Sequence, residues 1–164
     1  MIRVNLAPLV HAELGLRELV TLNLSNLTFE DLTLNYLKGS LHFTRVAQGI
    51  LCEGHLNAEV QVECIRCLTL FSQPIVIELE DIVGLPGADL TPERPVRVTE
   101  DYWVDLAPLI YEYAWLEIPH NAVCSPHCKG ICPDCGGNLN LGECVCEEGA
   151  ALDPRWDALK TLLK

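Results

Sequence analysis

The sequence predicts an α+β protein: mainly antiparallel sheet or a partly closed barrel, one central helix, and a cysteine-rich module followed by a short C-terminal helix. Three observations carry this. Apolar residues recur with a period of two through most of the first 85 residues. A helical stripe follows over about residues 105–117. Six cysteines then fall between 124 and 146, where large apolar side chains are few.

With 164 residues the chain is long enough for one ordinary domain. We expect a β-rich domain over 1–120 and a smaller module over 121–164, with the last helix packed on it. At 49% hydrophobic and 21% charged residues the composition is globular rather than disordered.

The strands come first. Val20, Leu22 and Leu24 alternate with Thr21 and Asn23. Leu32, Leu34 and Tyr36 share one parity, whereas Leu41 and Phe43 share the other, so a turn is expected at Gly39-Ser40. The clearest strand runs from Gly54 to Cys64. Leu56, Ala58, Val60 and Val62 share one face, and His55, Asn57, Glu59, Gln61 and Glu63 the other. Cys64 ends it on the apolar parity. Ile75, Ile77 and Leu79 suggest the return strand, with Glu78 and Glu80 on its solvated face. Residues 84–98 carry three prolines and two glycines and read as a loop with few anchors.

A helix is expected next, with Asp105 as N-cap, Val104 and Leu109 as hydrophobic staple, and Pro108 in the first turn. Leu106, Leu109, Ile110, Tyr113 and Leu116 form its apolar stripe, and Pro119 ends it. The final helix has Asp153 as cap, Pro154 at its first position, and Trp156, Leu159, Leu162 and Leu163 on its buried face.

Charge narrows the function. The formal net charge is −12, which argues against non-specific binding to bare nucleic acid, since that needs Lys and Arg at the phosphates. A basic protein partner is electrostatically easier. No apolar run approaches the ~18 residues of a membrane span. The N-terminal MIRVNLAPLV runs into His11, Glu13 and Arg17 and does not read as a signal peptide, so a cytoplasmic location is expected.

Nine cysteines without an export signal read as metal binding rather than a disulfide framework. The pattern is Cys64-x2-Cys67, then Cys124-x3-Cys128-x3-Cys132-x2-Cys135-x8-Cys144-x-Cys146. A Cys-x2-Cys turn presents two sulfurs on one side of a tight loop, and two such pairs complete a tetrahedron around zinc. In Cys132-Pro133-Asp134-Cys135-Gly136 the proline stiffens the turn and the glycine admits positive φ. The local grouping is Cys132, Cys135, Cys144 and Cys146. The remainder, Cys64, Cys67, Cys124 and Cys128, would tie the sheet to the tail. One zinc with free thiols, or iron held in a rubredoxin-like site, are the alternatives. His127 is a possible replacement ligand but reads better as an exposed loop residue. Cys52 reads as a small buried side chain.

Cysteines that fill every coordination position make a structural site, not a catalytic one. No zinc-hydrolase His-Glu-x-x-His, P-loop or Gly-x-Gly-x-x-Gly appears. His11-Ala12-Glu13 matches half of a zinc-deaminase signature, but Glu63 and Ile131 stand where its prolines should precede the cysteine pairs. No enzyme is expected.

Three segments together resemble the YceD family, the large ribosomal RNA subunit accumulation proteins. They are the strand entering Cys64-Ile65-Arg66-Cys67-Leu68 with Phe71 after it, the passage from Leu116-Glu117-Ile118-Pro119 through Cys124 to Asn140, and Asp153-Pro154-Arg155-Trp156 with Leu159. The resemblance implies a factor needed for accumulation of large-subunit (23S) ribosomal RNA, and it brings no established catalytic residues. Some relatives retain the first Cys-x2-Cys but not most C-terminal cysteines, which implies two separable sites. Precursor rRNA, a basic large-subunit ribosomal protein, or both are then the expected partners. Arg66 and Lys129, each lying between ligand cysteines, are the candidate contacts to phosphate. The rival readings are a zinc-stabilised module binding a basic protein without RNA, and an iron or thiol redox protein.

Overall fold

A computed structural model describes residues 1–91, 95–142, 144 and 146. The expected C-terminal helix over 153–163 lies outside the described residues. Four long strands form one antiparallel meander: β2 (Arg17–Thr28), β3 (Thr33–Val46), β4 (Gly49–Glu63) and β5 (Leu70–Val83), in the order β2-β3-β4-β5. A small second sheet pairs β1 (Arg3–Asn5) with β6 (Trp103–Asp105). Among the described residues the helices are α1 (Ala7–Val10), which the residue pattern does not announce, and α2 (Ala107–Glu117). The sheet is open, and the barrel alternative falls away.

One face of the meander is covered. Leu56, Ala58 and Val60 of β4 are buried together with Ile75, Ile77 and Leu79 of β5, the parity expected for both strands. Leu6 and Leu9 from the N-terminal segment and Leu109, Ile110 and Ala114 of α2 share the same core. The opposite face is mostly polar, with exposed Leu19 and Val76 among its charged residues, as a half-buried antiparallel sheet allows.

Gly39-Ser40 is not a turn. β3 passes straight through it, and the parity change has another cause: Leu34 pairs with Val60 but Tyr36 with Glu59, which leaves Asn35 as one extra residue on β3. Such a bulge shifts every later side chain to the other face. The Asn35 amide then bonds the side chains of Glu59 and Ser72, and Gln61 bonds it in turn. Gly39 and Gly54 are required by close packing across β3 and β4. A Cβ at Gly54 would stand 2.3 Å from the Ser40 carbonyl oxygen, and one at Gly39 2.2 Å from that of His55.

The ends of the 84–98 segment are better anchored than its composition suggests. Val96 and Val98 are buried in the core, and Gly84 and Val98 exchange backbone hydrogen bonds with the facing chain. The cap of α2 also shifts by one residue. Asp105 is held in β6 opposite Arg3, so Leu106 becomes the N-cap residue and offers no side-chain bond. The Asp105 carboxylate still accepts from the Ala107 N–H at 3.0 Å and the Ile2 N–H at 2.8 Å. Val104 and Leu109, the expected staple, are both fully buried. Leu116 is 74% exposed and does not join the stripe; it lies on the flank of the buried face, in the last turn of α2. Tyr113 is half-buried and donates its hydroxyl to the Glu80 carbonyl.

Candidate metal centre

The strand that buries Leu56 and Val60 delivers Cys64 beyond its end, fully buried. There the chain makes a tight knuckle. Cys64 N–H donates to the Thr69 carbonyl at 3.0 Å, and Leu68 N–H donates back to the Cys64 carbonyl at 2.9 Å. Residues 132–137 repeat the pattern: Cys132 N–H donates to Gly137 at 2.8 Å, and Gly136 N–H to Cys132 at 2.9 Å. The sixth residue in each case returns the chain, so two sulfurs face the same side.

The sulfurs of Cys64, Cys67, Cys124 and Cys128 all lie within 4.8 Å of one another, as do those of Cys132, Cys135, Cys144 and Cys146. These are the two groups that the spacing suggests. Four sulfurs around one zinc at about 2.3 Å stand about 3.8 Å apart. The first tetrad shows 3.9 Å for Cys64–Cys128 and 3.6 Å for Cys67–Cys124, a ready fit. The second shows 3.9 Å for Cys132–Cys146 and 3.3 Å for Cys135–Cys144. Cys144 and Cys146 stand at 2.8 Å, so these two must part by about 1 Å to share an ion. His127 is exposed and lies outside the tetrads. Cys52 is buried in β4 among core residues, as expected.

The electrostatics favour a cation at both places. Burial raises the Cys64 thiol, but N–H donors from Cys124, Cys67 and Arg66 outweigh it and hold the group at about 6. Cys132 falls to about 7, chiefly through the N–H groups of Cys135 and Asp134. Their neighbours move the other way: proximity to Cys67, with burial, pushes Cys124 up to about 12, and Cys144 raises Cys146. Neighbouring thiolates repel, so one ionises at the expense of the next. A dication removes that conflict and lets all four ionise.

Side chains around the sulfurs complete the arrangement. Asn140 Nδ2 donates to Cys128 Sγ at 3.3 Å, and its Oδ1 accepts from Lys129 N–H at 2.9 Å. Asp134 N–H and Gly137 N–H point at Cys132 and Cys135 Sγ, both at 3.4 Å. Asn138 Nδ2 donates to the Thr69 hydroxyl at 2.9 Å, and Ile65 N–H to the Ala122 carbonyl at 3.1 Å, so the 121–142 tail is stitched onto the first knuckle. Arg66 donates through Nη1 to the Cys128 carbonyl at 3.3 Å. Arg66 and Lys129 are both exposed, each next in sequence to a cysteine of the first tetrad. Nothing in the spacing of the cysteines announces Thr69, Asn138 and Asn140 as their polar supports. The available signal is two asparagines separated by a single leucine, directly after a Cys-x2-Cys-Gly-Gly run.

The model of the large ribosomal RNA subunit accumulation protein YceD matches residues 52–163, a stretch that contains all eight clustered cysteines. The chain belongs to the YceD family. An uncharacterized protein of Mycobacterium tuberculosis is 31% identical to it over 126 residues, 75% of this chain and 60% of that protein. YlbN of Bacillus subtilis is 30% identical over 112 residues, 66% of this chain and 63% of that protein. The chloroplastic large ribosomal RNA subunit accumulation protein YCED homolog 1 of Zea mays is 44% identical over 72 residues, 43% of this chain and 20% of that protein. The YceD-family chain thus spans about 60% of the length of its mycobacterial relatives. No solved structure matches it.

Proposed function

We propose that this YceD-family chain is a non-enzymatic factor that supports accumulation of 23S ribosomal RNA and so large-subunit biogenesis, acting in the cytoplasm. The observation that carries the reading is the family match over 52–163, taken with the name that family bears. In this reading each cysteine tetrad holds one structural Zn²⁺. All-sulfur coordination leaves no open position for water or substrate, so the ions order the chain and do no chemistry on a small molecule. Residues 1–120 form the β-rich body, and the cysteine-rich stretch that follows forms a metal-stapled module. Arg66 and Lys129, beside the first tetrad, contact precursor rRNA.

Depletion of the protein in growing cells tests the function. The expected result is a fall in 23S relative to 16S rRNA, restored by the wild-type chain and not by Arg66→Glu/Lys129→Glu. Unchanged 23S on depletion would sink the reading; full rescue by the double variant would remove only the role of the two basic residues. Elemental analysis of the purified protein tests the metal, with two zinc ions per chain expected. Iron and a visible absorption band would instead favour a redox protein.

The net charge of −12 supports a second reading, in which the partner is a basic ribosomal protein and RNA is not touched. Crosslinking in cells separates the two: RNA adducts at Arg66 or Lys129 belong to the first, protein adducts alone to the second.

A further inference from the structure

The uncovered face of the four-stranded sheet holds a concave groove that the metal centre does not use. Arg17, His42, Glu53, His55, Glu78 and Glu80 line it across all four strands, and Tyr113 closes it at the β5 edge. The strand register places like charges together. Glu53 stands directly opposite Glu80, and Glu78 is two residues along on the same face of β5. Like charges in directly opposed positions work against sheet pairing, so the fold alone gains nothing from them.

Local cations do not balance these carboxylates. Arg17 bonds Glu53 at 2.6 Å, and His55 lies 3.7 Å from Glu78, both on exposed side chains. Glu80 has no ion-pair partner among the described residues. Exposed Leu19 and Val76 lie on the same sheet face and add apolar contact area beside the acids.

We propose that this groove docks a lysine- and arginine-rich polypeptide segment laid across the β4–β5 side of the sheet. Its cationic side chains meet Glu78 and Glu80, and its stems pack on Val76. Phosphate-bearing RNA is repelled by the same carboxylates. A preformed metal site is also absent, because among the described residues only the two cysteine tetrads bring three or more ligand atoms within 4.8 Å. The inference deepens the proposed function by giving the basic protein partner a surface, and it rests on that reading for its cellular role.

The test uses the full zinc-loaded chain and labelled oligoarginine as probe, at low and physiological salt. Glu78→Lys/Glu80→Lys is expected to weaken binding at least ~10-fold, with melting temperature and zinc content kept. Glu100→Lys/Asp101→Lys makes the same charge change on exposed residues outside the groove and is expected to stay within ~2-fold. Equal losses in both variants, or none in the first, would overturn the proposal, as would displacement of the probe by micromolar spermidine. The binding assay is independent of 23S levels. A normal 23S level in depleted cells would therefore end the ribosomal reading and leave the surface standing, whereas loss of the surface leaves the 23S result untouched.

Discussion

Leu68 and Gly136 occupy the same corner of two knuckles with the same hydrogen bonding, at φ +58° and +72°. Each follows the second cysteine of its pair, where the chain must turn left-handed for both sulfurs to face one side. Glycine adopts that region freely, but a leucine Cβ crowds the following carbonyl at a cost of about 1–2 kcal/mol. Leu68 is also mostly exposed, so it recovers little by burial.

Leu68→Asn should therefore stabilise the metal-loaded protein, by about 0.5–1 kcal/mol, because asparagine tolerates this region without loosening the unfolded chain. Gly136→Ala should cost about 1 kcal/mol for backbone reasons alone, since nothing lies within 4 Å of the added Cβ. Thermal denaturation at fixed zinc concentration reads both. No gain in the first variant would mean that Leu68 makes a contact worth its strain.

The two tetrads should lose metal independently. Cys132→Ser/Cys135→Ser is expected to retain one zinc and the stitching of the tail to the sheet, because Cys64, Cys67, Cys124 and Cys128 remain. Cys64→Ser/Cys67→Ser should also retain one zinc, but free the 121–128 segment to exchange its amides. Zinc stoichiometry and hydrogen exchange together check this. A variant that loses both ions would show that the sites are coupled.

Asn140 touches both the Cys128 sulfur and the Lys129 N–H. Its replacement by alanine removes a donor that steadies a thiolate. Affinity for the first zinc should fall about 10-fold or more, measured by competition with a chelating dye. An unchanged affinity would reduce Asn140 to a loop brace.

Burial, then the carboxylates of Asp81 and Glu53, push the Cys52 thiol up from 9.0 to about 12. A raised pKa in the folded state contributes stability below the unfolded value that is lost as pH rises towards the folded one. Cys52→Ala should cost about 1–2 kcal/mol near pH 8 through the lost side-chain volume. The gap between wild type and variant should narrow as pH approaches 11, because only the wild type carries the penalty. Urea denaturation at several pH values measures it; a constant gap would refute the shift.

Much of the fold was readable from residue order, and the misses have a common cause. The alternation of Leu56, Ala58, Val60 and Val62 reports β4 directly, because burial on one face of a strand leaves a period of two. The same logic fails around Gly39. A single extra residue at Asn35, invisible to any periodic count, changes the parity of the later β3 residues and imitates a turn. Val96 and Val98 were hidden in a proline-rich stretch, because two apolar residues are too few to make a pattern. Yet both are core residues.

The candidate metal centre divides in the same way. Spacing alone sets the half-sites: Cys64-x2-Cys67 and Cys132-x2-Cys135 each close a knuckle within six residues, through backbone bonds that need no distant partner. Which pair completes which tetrahedron is a matter of packing. Cys64 and Cys67 meet Cys124 and Cys128 because α2 lies against β5 and returns the chain to the end of β4, where Ile65 bonds Ala122 and Thr69 bonds Asn138. Local chemistry is written in neighbouring residues. A contact between positions 69 apart depends on the whole path of the chain between them, and only the folded sheet and helix supply that path.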